Sequence, residues 1–197
     1  YQVQNDSYVW LALCGPVQLV KDRRDDPDAS SFMITPDYVR TMAAYNAEMN
    51  RRVYDAAARL SDEERRKDRG AFWGSIHGTL NHLLWGDTTW MIRFDGWEKL
   101  PAGIKESNGL HEDFFALRNA RAEADRRISD WAGRVDPEWL KGELVWFSGA
   151  MGKEMRKPHG LLVAHFFNHQ THHRGQVHAM LTAAGEKTGD TDLPFIL

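Results

Sequence analysis

The chain has 197 residues, of which 42% are hydrophobic and 27% are charged, and its formal net charge at pH 7 is -3. This composition is typical of a globular protein, and the length predicts one domain, or one domain with an extension. The slight negative charge argues against a nucleic-acid partner, which would require a strongly positive surface. No apolar run reaches the roughly 20 residues of a membrane span, so we expect no membrane partner.

The cysteine and histidine content narrows the expected chemistry. The single cysteine, Cys14, cannot form an internal disulfide or a cysteine-based metal site. Disulfides are rare in reducing compartments, so we expect a cytoplasmic protein. The chain contains 8 Trp and 9 His, and every histidine except His111 falls in one of two short stretches, 77–82 and 159–178. This clustering indicates a site.

The N-terminal part of the chain differs from the rest. The highly charged segment 21–28 is typical of a solvent-exposed linker, and Met33 directly precedes a well-formed helix start. Two interpretations remain open. Residues 1–32 are either a non-native or poorly ordered extension upstream of a natural initiator, or a genuine arm that packs on the domain. We therefore divide the chain into an N-terminal extension, 1–32, and a domain, 33–197.

The first two long segments have helical periodicity. The first helix is predicted to begin with Thr35 as its N-cap and Pro36 at its first position. The second is predicted from about Ser75 to Phe94, with one apolar face and an opposite face of small, polar and aromatic residues. Because neither face is charged, we expect both faces of this second helix to be covered.

The remaining elements complete the predicted architecture. A third helix is expected over about 110–132, and the segment 142–156 predicts a short hairpin or an extended crossover. The fourth helix is predicted to begin after Pro158 and to end at Gly185, while the apolar end of the tail, 190–197, is expected to pack on the domain. Four long helices with one long connection predict an all-α four-helix bundle.

The fourth helix carries a metal-binding pattern. His169 and His173 are four residues apart, so their imidazoles lie on one helix face and can reach one ion. His82, on the small-residue face of the second helix, is a third candidate. The alternative is a polar helix face whose histidines are simply hydrogen-bonded.

Three glycines inside the predicted helices favour the metal site over this alternative. Gly78, Gly86 and Gly175 each cost up to about 1 kcal/mol relative to alanine in a helix. Close helix approach, or space for a ligand, would explain why glycine is used there.

Several further side chains are candidates for orienting the histidines or for lining a pocket. Gln176 follows His173 by three residues, and Asn46 is either such a group or a buried polar residue at a helix contact. We expect His165 to orient ligands or line the pocket rather than to act as a fourth ligand. Trp85, like Trp90, is either part of the bundle core or a platform for a substrate.

Two segments resemble the DinB family of damage-inducible, YfiT-like metalloproteins. They are GSIHGTLNHLLWGDTTWMIRF, residues 74–94, and NHQTHHRGQ, residues 168–176. The pair Tyr45-Asn46 and the motif TDLPF, residues 191–195, are also similar to this family, and the resemblance covers residues 33–197. It implies a four-helix bundle with an up-down-down-up connection and a long crossover, which is often a homodimer.

The same resemblance implies a divalent metal, zinc or nickel, held by His82, His169 and His173. Characterised relatives include thiol-dependent transferases and isomerases that use small cellular thiols, although many members have no known reaction. The resemblance therefore specifies the site more closely than the activity.

Three functional hypotheses follow. Three neutral histidines and an open position are typical of a catalytic rather than a structural metal site. The leading hypothesis is a metal-dependent enzyme that acts on a small-molecule substrate, as an S-transferase or isomerase using a low-molecular-weight thiol. Because Cys14 lies outside the matched domain, the sulfur would come from that thiol. The alternatives are a non-catalytic metal-binding stress-response protein and a hydrolase that uses metal-bound water.

Overall fold

The computed structural model describes residues 34–149 and 151–197, so the predictions for residues 1–32 and for Met33 lie outside the described residues. The four predicted long helices and the short hairpin before the last of them are confirmed. The elements in chain order are α1 Pro36–Ala58, α2 Asp62–Arg66, α3 Ile76–Asp95, a 3-10 helix Ile104–Gly109, α4 Phe114–Arg134, α5 Pro137–Lys141, β1 Glu143–Ser148, β2 Lys153–Pro158, α6 His159–Ala183 and α7 Leu193–Ile196.

The long helices form a bundle in which α1 packs mainly against α4 and α6, and α3 packs against the same two helices. A simple up-and-down bundle would instead pair each helix with the next one along the chain. The observed order therefore requires crossover connections. The connection from α3 to α4 contains the 3-10 helix, which packs along α3. Both faces of α3 are thus covered, as its uncharged composition predicts. In the described residues, no helix is both long enough and apolar enough to cross a membrane.

Local capping explains where the helices begin and end. The Thr35 hydroxyl accepts from the backbone N–H of Tyr38 at the start of α1, and the Ser75 hydroxyl accepts from that of Gly78 at the start of α3. Helix α6 ends just before Gly185, whose positive φ of 88° suits a residue without a Cβ. These predicted boundaries are confirmed.

Helix α4 begins later than the sequence predicts. Its first residue is Phe114, because the Asp113 carboxylate accepts from the backbone N–H of Ala116 at 2.6 Å and caps the helix. Leu110, the predicted start, instead follows the 3-10 helix. The apolar face of α4 points inward, since Phe114 and Ile128 are buried in the core.

The C-terminal tail docks through its backbone rather than through its apolar side chains. The Tyr45 hydroxyl donates to the carbonyl of Thr191 at 2.6 Å, and Arg52 donates to the carbonyl of Asp190 at 3.2 Å. The expectation that the apolar end packs on the domain is wrong at the side-chain level, because Phe195 is 77% exposed and its apolar neighbours Leu193 and Leu197 are also exposed.

A buried ionic cluster joins three of the long helices. Arg121 of α4 pairs with Asp87 of α3 at 2.6 Å and with Asp125 of its own helix at 2.8 Å, while Asn50 of α1 donates to Asp125 at 2.9 Å. Burial raises the pKa of Asp87, and it raises that of Asp125 to about 6. Asp87 directly follows Gly86, so the cluster holds α3 in place at the level of the histidine site.

Candidate metal centre

Three histidines from two helices converge in the bundle. His82 comes from α3, and His169 and His173 come from successive turns of α6. One ligand nitrogen from each residue lies within 4.8 Å of the others. The Nε2 atoms of His82 and His169 are 3.4 Å apart. Two nitrogens on one tetrahedral zinc are separated by about 3.3 Å, given a Zn–N distance of about 2.0–2.1 Å. The cluster therefore has the dimensions of a metal site.

The hydrogen bonds around His82 fix its tautomer. Its Nδ1 lies 2.8 Å from the Ser107 hydroxyl, which is 2.7 Å from the carbonyl of Ile104. A hydroxyl has a single hydrogen, and the Ile104 carbonyl can only accept, so Ser107 donates there and accepts from His82 Nδ1–H. The Nε2 lone pair of His82 is consequently free to bind an ion.

Gln176 performs the same role for His173. The amide oxygen Oε1 of Gln176 lies 2.8 Å from Nδ1 of His173 and can only accept, so Nδ1 carries the hydrogen. This leaves the Nε2 lone pair of His173 free. Such outer contacts orient ligating rings and raise their basicity, and the placement of Gln176 matches the role suggested by its spacing from His173.

Packing, rather than a hydrogen bond, positions the third ring. Nδ1 of His169 is buried and has no hydrogen-bond partner among the described residues. A Cβ built on Gly86 would lie only 2.7 Å from Cε1 of His169, so the ring rests directly against the backbone of α3. Gly86 is therefore explained by close approach. Gly78 is also crowded, by the carbonyl of Trp73, whereas a Cβ on Gly175 would meet nothing within 4 Å. Close approach therefore does not explain Gly175, which lines a separate cavity, and space for a ligand stays the prediction for this position.

The three imidazoles are held in their neutral form. Burial, together with the neighbouring histidines, lowers the pKa of His82 to about 4 and that of His169 to about 3. Burial also lowers the pKa of His173, against the opposing effect of the Gln176 bond. Neutral imidazole is the form that binds a metal ion, so at neutral pH the site needs to release no protons from these rings to bind one.

Aromatic rings cover the site on the side of His82. The Trp73 ring stacks on His82 with centroids 4.0 Å apart, and the Trp85 ring lies 5.8 Å away at a small angle. The indole N–H of Trp85 donates to the carbonyl of Ala102 at 2.8 Å, so its ring orientation is fixed. Trp85 thus lines the cavity beside His82 and lies outside the core cluster formed by the described residues, so the bundle-core interpretation is not supported and a role as a substrate platform stays a prediction.

A cavity of about 420 Å³ opens beside the cluster. Its walls carry the three histidines, a set of aromatic side chains, and a guanidinium, and within 34–149 and 151–197 no carboxylate is among the lining residues. The hairpin closes one side, because the alternation along β1 directs Trp146 and Ser148 inward. The aromatic lining residues are Phe72, Trp73, Trp85, Trp90 and Trp146.

The remaining predicted residues lie at different distances from the centre. His165 lines the cavity with its ring centroid 5.9 Å from that of His169, and it is outside the metal-binding group formed by the described residues. Trp90 both packs on the core and lines the cavity. Asn46 is buried and accepts a hydrogen bond from Arg174 rather than from one of the three rings, as expected for a polar residue at a helix contact.

Sequence reasoning missed two residues that contact the centre. Ser107 and Trp73 both touch His82, yet one lies in the connection after α3 and the other precedes that helix. No periodicity or spacing relates either residue to the histidines. The only available signal was the proline- and glycine-containing connection itself, since a long connection of this kind frequently carries function.

Comparison with known proteins agrees with this geometry. The family model described as the DinB family matches residues 33–197. Comparisons with curated proteins and with solved structures give no significant match. The matched range contains all three converging histidines and most of the chain. The chain therefore belongs to the DinB family.

Proposed function

We propose that this protein is a divalent-metal-dependent enzyme that acts on a small molecule, using a low-molecular-weight thiol as the nucleophile. The observation that carries the proposal is the convergence of three neutral imidazoles beside a cavity of about 420 Å³. A divalent ion with three protein ligands keeps an open position, where it lowers the pKa of a coordinated thiol or water. Structural sites are instead closed by four protein ligands.

The side chains around the centre would supply orientation, exclusion of water and proton transfer. Ser107 and Gln176 hold the rings of His82 and His173, and the aromatic walls keep the cavity apolar. His165 faces the same cavity, and partial burial lowers its pKa, so its imidazole is a base able to accept the proton that an incoming thiol releases.

The cavity lining favours a thiol over water as the nucleophile. A hydrolytic zinc site commonly pairs its metal with a carboxylate base that activates water, and none of the carboxylates that the structure describes lines this cavity. A thiol has an ordinary pKa of about 8.5, against about 15.7 for water, so a metal held by the three histidines would ionise a thiol far more readily without a carboxylate base. This difference supports an S-transferase or isomerase over a hydrolase.

Metal analysis of histidine variants tests the site. His82→Ala, His169→Ala and His173→Ala should each bind far less zinc than the parent protein. The matched control is His178→Ala on the same helix, because Nδ1 of His178 bonds to Thr188 instead and its loss should leave the metal content unchanged. Full occupancy in the His82 variant would refute a site shared by two helices.

The optical spectrum of the cobalt-substituted protein tests the chemistry. Small thiols should change the ligand-field bands of bound cobalt, because sulfur enters the open position. Activity should then appear in a screen of small electrophiles with that thiol. Unchanged spectra across a panel of cellular thiols would refute the thiol mechanism and favour hydrolysis.

A further inference from the structure

Arg93 is the only permanently charged side chain that lines the metal cavity, and it has no carboxylate partner among the described residues. The side chain is half-buried on α3. One guanidinium nitrogen donates to the carbonyl of Thr89 at 3.0 Å, and the group lies 4.9 Å from the centroid of the Trp90 ring. A guanidinium has five N–H donors, so most of its donors remain available to a ligand.

This lack of a counter-ion is unusual among the arginines that the structure describes. Every other arginine of the described ranges except Arg174 has a carboxylate oxygen within 4.0 Å. Arg174 lines a different cavity, is only 5% exposed, and contacts Asn46 and the Tyr45 ring. Among the described residues, Arg93 is the arginine without a carboxylate partner that lines the cavity beside the three histidines. Burial lowers its pKa, as expected for a cation removed from water without a partner.

The position of Arg93 relative to the metal centre sets the length of a molecule that could reach both. His82, Gly86, Thr89 and Arg93 follow one another along one face of α3, and all four line the cavity. The Arg93 guanidinium folds back to the level of Thr89. The helix rises about 1.5 Å per residue, so this level is about 10 Å along α3 from His82. The cavity therefore has the three histidines near one end and a cation near the other, with Trp90 and other aromatic rings between them.

We propose that Arg93 binds the carboxylate of an elongated small molecule whose opposite end reaches the three-histidine centre. The inference rests on the proposed function, because it places the reacting end of that molecule at the metal. The planar fork of a guanidinium matches a carboxylate in a bidentate manner. A single cation balances one negative charge, whereas a phosphate monoester carries about -1.5 to -2 at neutral pH. The aromatic walls between the two ends suit an apolar chain or ring.

Paired ligands that differ only in their end group test this inference. Calorimetric titration of the zinc-loaded protein would compare 6-mercaptohexanoate with the neutral 6-mercaptohexan-1-ol. The acid should bind about tenfold or more tightly than the alcohol, since charge-assisted hydrogen bonds are the stronger kind. Mercaptoacetate, which has the same two groups, should bind more weakly than the long acid because it cannot span about 10 Å.

Variants assign the preference to one side chain. Arg93→Gln should lower the affinity for the acid to that for the alcohol and leave the affinity for the alcohol unchanged. Arg126→Gln is the matched control, because it removes the same charge from an exposed position on α4 and should keep the preference. Arg93→Lys keeps the charge but loses the fork, so an intermediate preference is expected, and this variant decides the question if Arg93→Gln does not fold.

The outcomes separate this inference from the proposed function. A preference for the acid that survives in Arg93→Gln, or no preference in the parent protein, would overturn the role of Arg93, even if the alcohol still shifts the cobalt spectrum. Conversely, hexanoate has no thiol and can be titrated into metal-free protein. Arg93-dependent binding of hexanoate would support the carboxylate site even if every thiol left the cobalt spectrum unchanged. Tighter binding of hexyl phosphate than of hexanoate would overturn the assignment to a carboxylate.

Discussion

Replacement of Gly86 by alanine tests how closely the two metal-bearing helices must approach. The added Cβ would lie 2.7 Å from Cε1 of His169, whereas carbon atoms in favourable contact are about 3.5–4.0 Å apart. The imidazole would have to retreat by roughly 0.8 Å on this basis. Metal–ligand distances tolerate deviations of only about 0.2 Å. The variant can therefore keep either its helix packing or its third ligand, but not both.

We expect Gly86→Ala to lower zinc affinity by about 100-fold or more. Loss of a hydrogen bond that orients a ligand costs about 10–100-fold, and displacement of the ligand itself should cost at least as much. Competition with a chromophoric zinc chelator would measure this change, and circular dichroism would establish that the helices remain. Metal-free Gly86→Ala need not be unstable, because alanine gains up to about 1 kcal/mol of helix propensity over glycine.

Gly175→Ala is the matched control on the other helix. A Cβ at this position meets nothing within 4 Å, so only the propensity gain of up to about 1 kcal/mol remains. In a domain of this size, that gain should raise the melting temperature by about 2–4 °C without changing zinc affinity. Equal zinc affinities for Gly86→Ala and the parent protein would refute the argument that glycine is needed for the approach of His169.

Three further perturbations follow from the same contacts. Ser107→Ala should lower zinc affinity by about 10–100-fold, because His82 loses the acceptor that fixes its tautomer, while Ser129→Ala, which removes only a bond to the carbonyl of Asp125, should bind zinc normally. The pKa of Asp125 is raised to about 6 by burial from an unfolded value near 4, so protonation favours the folded state as the pH falls. The free energy of unfolding should therefore rise by about 1 kcal/mol from pH 7 to pH 5. Urea denaturation should show this rise in the parent protein and not in Asp125→Asn. If the two proteins differ in free energy of unfolding by the same amount at both pH values, the pKa shift is contradicted. Chelation of the metal should leave helical circular dichroism nearly unchanged and lower the melting temperature only modestly, since the core does not depend on the ion; collapse to a random coil would indicate a structural metal instead. Assembly as a homodimer stays a prediction, and light scattering of the purified protein would test it.

The helices were predictable because their signals are local. Capping hydroxyls at Thr35 and Ser75 act within one turn of chain, and apolar spacing reports which face is buried. The sequence predicts too early a start for α4, because the apolar residue Leu110 fits the helical pattern. The helix in fact begins after its N-cap, Asp113. Periodicity cannot register such a boundary, whereas a capping hydrogen bond determines it.

The tail shows a related limit. Its apolar residues suggested packing, yet the bonds that hold it run from Tyr45 and Arg52 of α1 to tail carbonyls, while Phe195 stays exposed. Backbone carbonyls are the same in every residue, so a sequence pattern gives no indication of which of them a distant hydroxyl or guanidinium will reach.

For the site, the sequence alone determined the pairing of His169 with His173, because four residues of α-helix always place two side chains on one face. Its place on the small-residue face of the second helix made His82 a candidate, and the resemblance to the family motif strengthened it. The tertiary structure decided which groups surround those rings: Ser107 arrives from the crossover connection, and the unpaired Arg93 lines the same cavity. These contacts join residues with no fixed sequence separation, and only the packing of α3, α6, the 3-10 helix and the hairpin brings them together.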